Sequence, residues 1–94
     1  MKNRILQKIE KNRKNIRKFK VSKIGLFGSF LKKENKSKSD VDILVTFNKI
    51  SFDNYLSLLR YLEKLLRKKI DLVIESDLKP ELNYVKKEAE YVKI

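Results

Sequence analysis

Apolar residues recur along this chain with two periods. Between positions 2 and about 19, Ile5, Leu6, Ile9, Ile16 and Phe19 fall near one face of a helical repeat. Lysine and arginine fill most of the other positions there, and Glu10 is the only acid. That pattern predicts an amphipathic helix docked by its isoleucine stripe. Val21 to Phe27 is short, β-branched and aromatic, and reads as a strand that ends at Gly28. Phe30 to Lys33 fits a single helical turn, and Glu34 to Lys38 is polar throughout, as expected of a surface loop. Val41 to Phe47 is apolar almost without interruption, the mark of a central strand covered on both faces.

Ser51 then stands where a helix N-cap belongs, with Asp53 in the first turn. Tyr55, Leu58, Leu59, Leu62, Leu65 and Leu66 form the apolar stripe of that helix. Arg67, Lys68 and Lys69 close it, where cations complement the helix dipole. Ile70 to Ile74 is a third strand. A helix of suitable length separates it from the second, so a right-handed parallel crossover is expected. Pro80 sits at the first position of a predicted last helix, with Leu82, Val85, Ala89 and Val92 along one side and Tyr84 and Tyr91 beside them. This order predicts an α/β (α+β) fold, a small mixed sheet flanked by helices, as one domain over 1–94.

Composition narrows the chemistry. Histidine and cysteine are both absent. That excludes histidine general bases, Ser-His-Asp triads, thiolate nucleophiles and His- or Cys-ligated zinc. A metal here must be held by oxygen, which points to magnesium or manganese. The net charge of +12 favours an acidic partner, be it nucleic acid, a triphosphate or an acidic protein. The basic N-terminal helix lacks the exposed aromatics of a nucleic-acid stacking platform, so direct nucleic-acid binding is the less favoured of these. No apolar run approaches a membrane span and no signal-peptide core follows the basic N-terminus, so the expected location is the cytoplasm.

In so basic a chain, carboxylates at the head of an apolar strand need a reason. Asp40 and Asp42 are one residue apart, so a strand points them to the same side. Side by side they repel, and a divalent cation removes the conflict. Asp71 opens the third strand and joins them if that strand pairs alongside. Three carboxylates on neighbouring strands can hold two metals about 3.5–4 Å apart, the arrangement used for nucleotidyl displacement. Gly28 lets backbone come close to a ligand, and Ser29 adds a hydroxyl at the start of a helical turn that favours anions. Lys32 and Lys33 follow as candidate counter-charges.

These residues resemble a known family. Gly28-Ser29, ten intervening residues, then Asp40-Val41-Asp42 is similar to the signature of the polymerase-β-like nucleotidyltransferase superfamily. Ser39 to Val45, Lys69 to Val73, Leu78-Lys79-Pro80-Glu81-Leu82 and Glu88 to Val92 narrow the resemblance to minimal nucleotidyltransferases of the MntA type. The resemblance implies a nucleotidyltransferase fold and an antitoxin that transfers AMP from ATP to a tyrosine of a HEPN-domain ribonuclease toxin, commonly encoded next to it. It also implies Asp40, Asp42 and Asp71 as catalytic, metal-binding carboxylates for two Mg2+ ions, or Mn2+. Gly28 and Ser29 match the triphosphate-binding pair. Where the family often reads Ala-Arg-Gly after the Gly-Ser-aromatic triplet, this chain has Leu31-Lys32-Lys33. Lys32 keeps the charge that would meet the nucleotide but not the guanidinium fork. Two other functions stay open from the residues: a non-catalytic antitoxin that neutralises by binding, and a nucleotidyltransferase acting on RNA or a small molecule.

Overall fold

A computed structural model describes residues 4–28 and 40–94. The helical turn expected at Phe30 to Lys33, the loop expected at Glu34 to Lys38, and the candidate site residues Ser29 and Lys32 lie outside the described residues.

The N-terminal amphipathic stretch folds as two helices rather than one, α1 (Arg4–Lys11) and α2 (Arg13–Arg17). Asn12 makes the break. Its side-chain amide donates to the Lys8 carbonyl at 2.8 Å, while its own carbonyl accepts from the Asn15 and Ile16 amides. A side chain that bonds local backbone this way competes with helix continuation. The isoleucine stripe survives the break, with Ile5, Leu6, Ile9 and Ile16 all buried.

Strand β1 (Val21–Phe27) runs antiparallel to β2 (Val41–Phe47), and β2 runs parallel to β3 (Ile70–Ile74). Helix α3 (Phe52–Leu66) makes the parallel connection, as the sequence predicts. The Ser51 hydroxyl accepts from the Asn54 amide at 3.1 Å and caps α3, and Arg67 ends it in a left-handed conformation, φ 53°. Leu58, Leu62 and Leu66 are the buried turns of the leucine stripe.

The end of the chain differs from expectation. A short helix α4 (Asn83–Glu88) follows a 3-10 turn at Pro80–Leu82, and then β4 (Glu90–Lys93) pairs antiparallel with β1. The sheet order is therefore β3-β2-β1-β4. Val92, read as a helical position, is instead a buried strand residue opposite Ile24. The reason is the edge of β1. Its second set of backbone donors and acceptors must find partners, and Glu90 to Lys93 supplies them.

One sheet face carries the core. Val41, Ile43 and Val45 of β2 pack with Ile24, Leu26, Ile70, Leu72 and Val92 against the helices. Alternation turns Asp42, Leu44 and Thr46 to the opposite face. Among the described residues no helix is long and apolar enough to cross a membrane.

Candidate active site

The opposite face of the sheet holds the acids. In the parallel register Asp42 lies directly beside Asp71, and across β1 it faces Phe27. Both aspartates are second in their strands, so the parallel pairing alone puts two carboxylates shoulder to shoulder. Asp71 and Asp40 are exposed, and Asp42 is half-buried. Burial pushes the Asp42 carboxyl above its ordinary value. The negative charges of Asp71 and then Asp40, and a hydrogen bond with Asp71, push it the same way.

Asp40 precedes β2 and acts on Asp42 through charge. Among the described residues no three acids already converge as a metal cage. The donor set nevertheless fits a hard divalent ion: all oxygen, no nitrogen or sulfur, and surplus negative charge that keeps one carboxyl reluctant to ionise.

Gly28 closes the site from the β1 side. Its φ of +77° is a left-handed conformation, and a Cβ built there would stand 2.1 Å from Asp42 Oδ2. The glycine thus serves two needs, a backbone turn that ends β1 and room for the carboxylate. A cavity of about 230 Å³ adjoins it, lined by Phe27, Gly28, Tyr84, Val85 and Glu88. Tyr84 is 56% exposed and comes from α4. The sequence pointed only to a helical stripe or an interface for this tyrosine. Its spacing carries no motif, and the turn at Pro80 is what brings it beside Gly28.

At the other end of the same face a polar cluster ties β4 down. Thr46 Oγ1 donates to Glu75 Oε2 at 3.2 Å, and Lys23 Nζ pairs with the same oxygen at 3.5 Å. The Lys23 ammonium also lies 4.5 Å from the centre of the Tyr91 ring. Burial, then the charge of Glu75 and a hydrogen bond to it, push the Tyr91 hydroxyl up to about 12. Tyr91 lies over Gly25, where an added Cβ would meet its ring at 2.8 Å. This cluster is structural. Beyond β3, the Tyr55 hydroxyl donates to the Leu72 carbonyl at 2.5 Å. Burial raises its pKa, and the charge of Asp71 adds to that.

The family model described as polymerase beta, nucleotidyltransferase matches residues 5–91. The chain belongs to this nucleotidyltransferase family. It is 44% identical over 89 residues to a Methanocaldococcus jannaschii protein provisionally named a protein adenylyltransferase, covering 92% of this chain and 85% of that one. A solved structure provisionally described as a minimal nucleotidyltransferase superposes with a TM-score of 0.75 at 28% identity, covering 90% of this chain and 93% of the other. A solved complex of a tri-AMPylated Shewanella oneidensis HEPN toxin with an MNT antitoxin shares the fold at a TM-score of 0.64 and 22% identity, over 93% of this chain and 70% of the match. This nucleotidyltransferase therefore has the minimal form of the fold that the sequence motifs imply. Its carboxylate pair lies on the face of the sheet away from its main core.

Proposed function

We propose that this nucleotidyltransferase is an antitoxin-type protein adenylyltransferase, transferring AMP from ATP to a tyrosine hydroxyl of a partner HEPN ribonuclease. The observation that carries this reading is the parallel register that sets Asp42 against Asp71, with Asp40 within electrostatic reach and Gly28 pressed upon Asp42. The adenylyltransferase relative and the AMPylated toxin beside an antitoxin of the same fold support the acceptor.

Asp40, Asp42 and Asp71 would hold magnesium, with Asp40 joining the pair by rotation of its exposed side chain. A bound ion would supply positive charge against these carboxylates and the triphosphate. The chain's own residues do the rest. Gly28 lets the backbone approach the phosphates, and Ser29 and Lys32 are assigned to them from the sequence motif. The exposed Tyr84 ring offers a stacking surface for the base. The acceptor hydroxyl oxygen bonds to the α-phosphorus, and the bond from that phosphorus to the bridging oxygen of the β-phosphate breaks. Pyrophosphate leaves with that electron pair, and Asp71 takes the hydroxyl proton. We assign this reaction to the cytoplasm, where ATP and the ribonuclease's substrates are.

The test is incubation with α-labelled ATP, magnesium and the HEPN protein encoded beside this chain's gene. Label should appear on the HEPN protein and vanish with Asp40→Ala plus Asp42→Ala. Transfer that survives the double substitution refutes the site. Neutralisation without any transfer would establish antitoxicity by binding alone.

A further inference from the structure

Beyond the carboxylates a concavity lies along the outer edge of the sheet. It measures about 630 Å³ and is bounded by Ile50, Phe52 and Tyr55 at the start of α3, Leu72 and Val73 on β3, and Asp77 at its far end. Phe52 is 75% exposed and Ile50 57% exposed. These two account for half of the four large hydrophobic side chains that the described residues leave exposed.

The floor is a strand edge. β3 pairs with β2 on one side and is the end strand of the sheet on the other. The Lys69 carbonyl bonds to Val41 on β2, so alternation turns the Leu72 carbonyl outward, where the Tyr55 hydroxyl takes it. With Tyr55 on that carbonyl, an extended peptide would lie along the apolar walls beside β3, whose pockets choose its side chains. Asp71 is the residue before Leu72, so a segment lying here runs toward the proposed reaction centre.

Charge says what kind of segment. Residues 4–20 carry eight exposed cations, Arg4, Lys8, Lys11, Arg13, Lys14, Arg17, Lys18 and Lys20, against Glu10 alone. From Asp71 to Glu81 the balance reverses, with Asp71, Asp77 and Glu81 against Lys79, while Glu75 is paired with Lys23; of these acids Asp77 lines the groove. An apolar groove whose one charged lining residue is the Asp77 carboxylate, on a molecule of net charge +12, is a place where a basic, apolar segment is drawn rather than repelled.

Resting on the adenylyltransferase reading, we infer that this groove docks the acceptor protein, receiving an extended apolar segment with a basic residue opposite Asp77 and directing its hydroxyl toward Asp71. The site thus divides its work. The Gly28 side receives the nucleotide, and the β3 edge receives the protein.

The test uses Phe52→Asp, Ile50→Asp and Asp77→Lys in the full chain, with the HEPN protein encoded beside its gene as the probe. Both AMP transfer and direct binding are measured, and Lys14→Ser on α2 is the control. Each groove variant should raise KM for the HEPN protein about tenfold or more, with kcat and KM for ATP unchanged. Unaltered KM in the groove variants overturns the proposal. If wild-type protein transfers no AMP, the adenylyltransferase reading fails, and binding then decides the groove. Weakened binding in Phe52→Asp and Asp77→Lys sustains it; unchanged or absent binding overturns it. Sedimentation showing that Phe52→Asp separates a dimer of this chain would give the groove to a second copy, and would also overturn it.

Discussion

Gly28→Ala is the substitution that most directly joins backbone to chemistry. The added methyl would sit 2.1 Å from Asp42 Oδ2, 3.0 Å from its Cγ and 3.2 Å from its Cβ. Real Cβ atoms essentially never come within 3.0 Å of such a neighbour, so the carboxylate oxygen must retreat by about 0.9 Å. A misplacement of about 1 Å at a reacting centre can cost about a hundredfold in rate. The backbone adds its own term, because a left-handed alanine costs about 1–2 kcal/mol where glycine costs little. For a domain of this size that lowers Tm by roughly 4–16 °C. The assay pairs a thermal melt with kcat for AMP transfer below the melt. Gly25→Ala is the comparison, since its methyl meets the Tyr91 ring, at 2.8 Å, and no carboxylate. It should also melt early but keep its kcat. Wild-type kcat in Gly28→Ala, or equal losses in both variants, would refute the proposed coupling between the turn and Asp42.

Other substitutions separate stability from function. Asp42→Asn should abolish transfer yet raise the Tm of metal-free protein at pH 7. A carboxyl whose pKa is raised by folding loses stability as pH climbs from its unfolded value of 3.8 through its folded value. The Asn gain should therefore shrink below that window, and a fluorimetric melt series from pH 3 to 7 in chelator measures it. Ser51→Ala removes the cap on α3 and should cost about 1 kcal/mol in urea unfolding, with activity at low temperature intact. Tyr84→Ala should raise KM for ATP roughly tenfold, in line with about 1–3 kcal/mol for a base on an aromatic ring, and leave KM for the acceptor alone. Unchanged KM for ATP would remove Tyr84 from the nucleotide site.

The aspartates were legible because their pattern is local. Asp71 occupies in β3 the place that Asp42 has in β2, so parallel pairing alone aligns the two, while Asp40 stands just before β2. Helix α3 was legible for the same reason, since cap and stripe lie within one segment. β4 was not. Leu82, Val85, Ala89 and Val92 satisfy a helical spacing, and only the demand of β1 for a second partner turns Val92 into a strand residue. The break at Asn12 was hidden because the side-chain hydrogen bond that ends α1 leaves the isoleucine spacing intact. Tyr84 and the β3 groove were hidden more deeply. Each is assembled by chain turns between segments, and apolar residues such as Ile50 and Phe52 look in sequence like any others destined for a core.

The pairing of β1 with β4 bears on the order of events during synthesis. β1 is an interior strand of the sheet, yet one of its neighbours, β4, is made after both β2 and β3. A nascent chain arrested before Glu90 can pair β1 with β2, but leaves the other side of β1 open and Gly25 without the Tyr91 ring. Such an edge is a template for pairing with other chains. The Arg17 guanidinium, bonded to the Ile94 carbonyl at 3.0 and 2.8 Å, ties the segment after β4 to α2. The pairing that sets Asp42 beside Asp71 thus does not wait for β4, whereas the exposed edge of β1 is closed only when β4 docks.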